Sequence, residues 1–280
     1  MFTTDASRQS SMRKLMLLVM KRLIYLIPVA LLMISSCKED PPKPEPQDPP
    51  VLRISTALMN DGQEIELNDE FLDGAGNRVK LVALKFYLAN MEMIDDGGNA
   101  YALSEIELFD HKPFDDALST PQWVNEYEFE VKDATYQKIK FDLGVPPALN
   151  DDDPATFDNN DPLSVYSNMY WSWASMYRFI ILEARMDSTG GTNFDHDLIF
   201  HTGLEDLYRT GIELPAMFSI DSSEVKELKI NIEWDKLFYD GAEPIVVRQE
   251  NITHTTAGPE AFNLAERFTE NFIVSLSSEH

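Results

Sequence analysis

Cysteine and basic residues are scarce in this 280-residue sequence, and each scarcity excludes a class of protein. One cysteine cannot form an intramolecular disulfide or a zinc site of paired cysteines, so stability must come from core burial. The 23 basic residues stand against 48 acidic ones, for a net charge of −25. Such a charge repels the phosphate backbone, so we expect no nucleic-acid partner.

Motifs typical of several enzyme classes are also missing. The sequence contains no Gly-x-Ser-x-Gly, no phosphate-binding glycine loop and no His-Glu-x-x-His. Carboxylates are so abundant that a glycosidase-like pair cannot be identified from sequence. The acidic run 150–161 could collect calcium, but it lacks the glycine and closing glutamate of an EF-hand loop and is more typical of turns. We therefore predict that the protein is not an enzyme.

The longest apolar stretch lies near the beginning of the chain. Lys21 and Arg22 precede the apolar residues 23–34, and two serines then lead to Cys37. This order is typical of a bacterial lipoprotein signal peptide, which we predict over residues 1–36. A retained membrane helix is disfavoured because a span needs ~20 apolar residues.

Cys37 is the predicted lipidation site, and its acyl chains would anchor the protein to a membrane. The proline-rich residues 37–50 are predicted to form a stiff linker. Residues 38–40 (KED) resemble the signal that sends lipoproteins of Bacteroidota to the cell surface. We expect an outer-membrane lipoprotein, on the periplasmic face or at the cell surface, translated from Met12 or Met20.

Residues 51–280 read as an all-β domain, an antiparallel β-sandwich with few short helices. Short runs rich in β-branched and aromatic residues alternate with glycine- and proline-containing turns. Helix candidates are 221–229 and 259–272, the latter with apolar residues at helical spacing. The predicted strands lie within 51–60, 80–94, 101–110, 126–131, 136–145, 177–186, 197–204, 225–238 and 271–276.

Residues 169–187 (MYWSWASMYRFIILEARMD) contain two tryptophans and several other aromatic residues. Both alternating faces of residues 170–182 are largely apolar, which predicts one central strand. On general grounds we expect Trp171 and Trp173 to pack in the core.

The same segment resembles the signature of the MbnP-like family of secreted copper-binding proteins, which occurs widely in Bacteroidota. Other matching segments follow in the expected order, and the sequence departs from the family at Met176, where glycine is usual. They are 84–95 (LKFYLANMEMID), 136–146 (YQKIKFDLGVP), 152–163 (DDPATFDNNDPL), 200–203 (FHTG) and 251–272 (NITHTTAGPEAFNLAERFTENF).

The resemblance implies a β-sandwich that binds copper outside the cytoplasm. In relatives, histidines bind the metal together with a kynurenine, formed when a dihaem peroxidase-like partner oxidises a tryptophan. By motif position the resemblance implies His201 and His254 as ligands. It leaves open whether Trp173 or Trp171 is modified.

The chemistry of the residues is compatible with that implication. Imidazole suits copper, and the sequence has only five histidines. His196 is a further candidate ligand, but it lies five residues before His201 and so faces the other side of a regular strand. His111 and His280 receive no role.

Three functions remain open at this point. The first is a membrane-anchored extracytoplasmic copper-binding protein for acquisition, storage or transfer of the metal. The second is a surface module that recognises glycan or protein through aromatic side chains, without metal. The third is a purely structural lipoprotein. Buried tryptophans near converging histidines would favour the first, and a solvent-facing row of aromatics the second.

Overall fold

The computed structural model describes residues 47–172, 176–191 and 193–280. The predicted signal peptide, Cys37, most of the linker and Trp173 therefore lie outside the described residues. None of the helices within the described ranges is long and apolar enough to cross a membrane.

The described residues are mostly β-strands, as the sequence predicts. The strands are β1 (Val51–Asn60), β2 (Gln63–Ile65), β3 (Glu70–Leu72), β4 (Arg78–Asp95), β5 (Ala100–Asp110), β6 (Glu126–Glu130), β7 (Ala134–Leu143), β8 (Tyr170–Ser172), β9 (Met176–Asp187), β10 (His196–Gly203), β11 (Arg209–Ile220), β12 (Val225–Glu233), β13 (Ile252–His254) and β14 (Leu276–Glu279).

These strands form two sheets, and the predicted all-β sandwich is confirmed. The smaller sheet has the order β14-β12-β1-β2, with β6 also paired to β1. The larger has the order β11-β7-β4-β9-β10-β13, with β3 and β5 paired to β4 and β8 to β9. The sheets are mixed rather than wholly antiparallel, because β1 pairs with β12 and β10 with β13 in parallel.

The main core lies between the two sheets. Ile54 of β1 and Leu228 of β12 meet Phe86 of β4 and Leu182 of β9 there. A second apolar cluster that includes Phe179 covers the other face of β4 and β9. The central strands are thus buried on both faces, which explains why their sequences are apolar at successive positions.

Within the described ranges, helices are few and short except near the C-terminus. They are α1 (Pro147–Asn150), α2 (Trp234–Phe238) and α3 (Pro259–Ser275). The predicted helix 259–272 is confirmed, and its Phe268 stacks on Phe200 of β10 with ring centroids 4.6 Å apart. The helix alternative for 221–229 is wrong, because the period-two pattern of Leu228, Ile230 and Ile232 places that segment in β12.

Further segments differ from the prediction, among them the end of the predicted strand 225–238, where Trp234–Phe238 form α2. The sequence predicts a strand over 271–276, but α3 continues to Ser275 because the apolar residues of this run extend the apolar face of the helix. Residues 170–182 form two antiparallel strands, with Tyr170 opposite Tyr177, instead of one central strand. The chain reverses direction between β8 and β9, and Met176 has φ 49° on the β9 side of this reversal.

Candidate metal centre

The two histidines implied by the resemblance lie side by side at one edge of the larger sheet. Strands β10 and β13 pair in parallel, and their register sets His201 directly opposite His254. Residues opposite each other in paired strands project to the same face. The imidazole rings accordingly lie next to each other, tilted by 59° with centroids 4.9 Å apart.

Hydrogen bonds around β13 fix this register. The Thr255 Oγ1 donates to the His201 carbonyl at 3.2 Å and accepts from the Gly203 N–H at 3.1 Å. The Thr253 Oγ1 donates to the Ala261 carbonyl at 2.6 Å and so ties β13 to α3. A three-residue edge strand is therefore held on both sides by side chains.

Gly203 is required at the end of β10 by close packing. A Cβ atom at this position would lie 2.5 Å from the Tyr177 carbonyl oxygen and 3.3 Å from the Arg178 Cα. Only glycine lets β10 approach the start of β9 this closely. The approach brings the histidine edge next to the β8–β9 hairpin.

Each imidazole has one buried nitrogen without a hydrogen-bond partner. The Nδ1 atoms of His201 and His254 are both buried, and neither has a partner among the described residues. The Nε2 of His201 lies 2.8 Å from the Glu183 Oε1. When Nε2–H donates to this carboxylate, Nδ1 carries the free lone pair that a metal ion requires.

The surroundings favour neutral imidazoles. Burial lowers the pKa of His201, although the hydrogen bond to Glu183 acts in the opposite direction. Burial also lowers the pKa of His254, and the positive charge of Arg178 lowers it further. Both rings are therefore neutral at neutral pH, which is the form that binds metal.

Trp171 of β8 lies against both histidines. Its ring centroid is 4.9 Å from that of His254 and 6.0 Å from that of His201, in edge-to-face geometry. The guanidinium of Arg178 lies over the indole, 5.4 Å from its centroid. Trp171 is 43% exposed, so the core position expected for it is wrong: at the edge of β8 its ring covers the histidine pair instead.

This arrangement suits a soft or borderline metal ion held by nitrogen. Unpaired buried polar atoms are costly, and a cation bound by both would compensate two such atoms on adjacent rings. Imidazole ligands suit copper. Within the described ranges no set of three or more His, Cys, Asp or Glu side chains is arranged to hold a metal.

The remaining predicted residues lie elsewhere. The Nε2 of His196 is 3.0 Å from the Val247 carbonyl, and the structure does not bring this histidine to the pair. Trp173 and Cys37 lie outside the described residues. In the acidic run 150–161, the side chains of Asp153 and Asp161 each accept a hydrogen bond from the backbone N–H two residues further along the chain, which is typical of turns.

Sequence reasoning missed Glu183 and Arg178. Glu183 is a carboxylate within the apolar run FIILEARM, two residues after Ile181 and so on the same face of the strand. A charged side chain on this otherwise apolar face was the available signal that the face is functional. Arg178 gave no such signal, because its contacts depend on the reversal between β8 and β9.

Comparisons with known proteins agree with the sequence resemblance. The family model MbnP matches residues 49–256. MbnP from Methylosinus trichosporium aligns with a TM-score of 0.48 and 15% sequence identity, over 81% of this chain and 97% of that one. No curated protein matches the chain. Because the family model covers well over half of its residues, the chain belongs to the MbnP family, which is associated with methanobactin and copper.

Proposed function

We propose that this protein binds copper between His201 and His254 and serves in acquisition, storage or transfer of the metal. The observation that carries the proposal is the pair of buried Nδ1 atoms, without a partner among the described residues, on adjacent imidazoles. Glu183 would hold His201 in the tautomer that offers Nδ1 to the ion. Family membership supports copper as the metal.

A tryptophan oxidised to kynurenine would complete the ligand set. Such a modification, made by a dihaem peroxidase-like partner, replaces the indole by an aniline nitrogen and a ketone, which would be further donors beside the histidine pair. The contact of Trp171 with both imidazoles supports it as the modified residue. Trp173 remains the other candidate.

The protein would act outside the cytoplasm. Lipidation of Cys37 and the proline-rich linker would hold the β-sandwich off the outer membrane, on its periplasmic face or at the cell surface. A Cys37→Ala variant should then leave the membrane fraction and appear in the soluble fraction. Retention of this variant on the membrane would contradict lipid anchoring.

Copper content of the purified protein tests the metal proposal. We expect bound copper in the wild type and its loss in His201→Ala and His254→Ala. His196→Ala is the matched control, because His196 lies on the same strand as His201 and contacts Val247 instead. Elemental analysis together with intact mass measures both copper and a tryptophan modification.

Two results would contradict the copper function. One is wild-type protein that takes up no copper and binds polysaccharide, which would favour glycan recognition. The other is copper that persists in both histidine variants, which would move the metal to another site.

A further inference from the structure

Arg178 is bonded to the segment that carries Trp171. Its Nη2 donates to the Asn168 carbonyl at 2.5 Å, and its Nε donates to the Met169 carbonyl at 3.3 Å. The backbone N–H of Arg178 also donates to the Met169 carbonyl, at 2.9 Å. One residue of β9 thus binds two consecutive carbonyls just before β8.

The positive charge of Arg178 interacts electrostatically with Glu183, but among the described residues no acidic side chain forms an ion pair with its guanidinium, although the protein is strongly acidic. The residue is half-buried. Partial burial of an unpaired cation is costly, so the carbonyl bonds and the indole face must compensate for the lost hydration.

Trp171 depends on these contacts for its position. It is 43% exposed, and among the described strands the three-residue β8 that carries it pairs only with the start of β9. The indole contacts the two imidazoles edge to face and the guanidinium of Arg178 over its ring. A planar guanidinium can bind two carbonyls and stack on an aromatic ring at the same time, whereas an ammonium cannot.

We propose that Arg178 is the positioning residue of the metal centre: it clamps residues 168–171 and thereby holds the Trp171 indole against His201 and His254. In this position the indole covers the histidine pair on its solvent side. Only the expected effect of the clamp on copper binding rests on the proposed function. Its effect on Trp171 exists in the metal-free protein as well.

Substitution of Arg178 tests the clamp by two independent measurements. The first is the indole N–H resonance of Trp171 in metal-free protein produced without the oxidising partner, so that Trp171 is unmodified; it is assigned from its absence in Trp171→Phe. The second is the rate at which copper-loaded protein releases its metal to a chelator. The variants are Arg178→Gln, which removes both the charge and the planar guanidinium, and Arg178→Lys, which keeps only the charge.

We expect Arg178→Gln to shift and broaden the Trp171 resonance and to release copper about tenfold faster, as when the support of a ligand set is lost. Arg178→Lys should shift the resonance as well, because one ammonium cannot reproduce the bonds to both carbonyls and the stacking. Arg185→Gln is the matched control, since Arg185 lies on the same strand in an exposed pair with Asp197 and should change neither measurement.

An unchanged Trp171 resonance in a folded Arg178→Gln variant would overturn the clamp. If that variant does not fold, Arg178→Lys takes its place, and an unchanged resonance there would overturn the clamp in the same way. If wild-type protein binds no copper, the proposed function fails, and the resonance still decides the clamp. If the resonance shifts and copper release stays at the wild-type rate, the role of Arg178 in the metal centre is refuted.

Discussion

At the scale of single residues, the metal centre depends on what each imidazole lacks. In the described structure the Nδ1 atoms of His201 and His254 are buried without a partner, whereas no nitrogen of His196 or His111 is buried in this way, and their Nε2 atoms contact Val247 and Thr56. The distinction between a candidate ligand and a structural histidine is therefore a matter of hydrogen-bond satisfaction.

Glu183 should tune metal affinity without binding the metal. Glu183→Gln keeps an oxygen that accepts the His201 Nε2–H and removes the negative charge, so the imidazole becomes a weaker ligand. We expect copper affinity to fall about tenfold, within the range found for such outer carboxylates. Competition with a chelator of known affinity measures the change.

Glu213→Gln is the control for this variant, because Glu213 lies in an exposed pair with Lys138. Equal affinities of wild type and Glu183→Gln would show that the carboxylate does not act on the metal centre.

His111 should make the fold sensitive to acid. Burial lowers the pKa of His111 to about 4, from 6.5 when exposed. The folded state thus binds fewer protons than the unfolded state between these values, and stability present above pH 6.5 is lost as the pH falls towards 4. We expect this loss to be on the order of 2 kcal/mol, since the residue keeps some contact with solvent.

The measurement is urea unfolding at several pH values for wild type and His111→Gln. The difference in unfolding free energy between the two proteins should change across this interval and stay constant above it. A constant difference throughout would contradict the assignment.

At the scale of elements, the sequence predicts strands and helices that have a local pattern, and it does not predict which distant strands pair. Alternation in residues 197–204 predicts β10, and helical spacing predicts α3. The sequence does not predict β11, because Gly211 and Pro215 interrupt its strand pattern. Pro215 is tolerated in this strand because β11 lies at the edge of its sheet. The β10–β13 pairing joins residues 53 positions apart, and nothing in either segment specifies the other.

The start of β9 contains a backbone conformation that glycine would adopt more easily. Met176 has φ 49°, a left-handed value that costs most residues about 1 kcal/mol or more, and it occupies the position where the family usually has glycine. We therefore expect Met176→Gly to raise the free energy of unfolding by about 0.5–1 kcal/mol. Urea denaturation measures this gain.

Met217→Gly is the opposite case. Met217 is exposed on β11 and its φ is not positive, so glycine should destabilise the protein there. Destabilisation by Met176→Gly as well would show that side-chain contacts outweigh the backbone strain.

At the scale of the whole molecule, one sandwich without a disulfide carries a metal centre at the edge of its larger sheet. A ligand that binds only the folded state stabilises it by mass action. Copper at 100 times its dissociation constant should therefore raise the free energy of unfolding by about 2.7 kcal/mol. Thermal unfolding with and without copper measures this shift, and His201→Ala should abolish it.

An equal copper-dependent shift in His201→Ala and wild type would mean that the stabilising ion binds elsewhere on this acidic protein. Sodium and magnesium salts at matched ionic strength control for general screening of the surface charge.

The central claim is that one copper ion lies between the Nδ1 atoms of His201 and His254. An anomalous difference map at the copper absorption edge, from crystals of copper-loaded protein, tests it most directly. We predict a peak within bonding distance of both Nδ1 atoms and beside residue 171. A map with no peak at this position, or with its strongest peak on other side chains, would contradict the account.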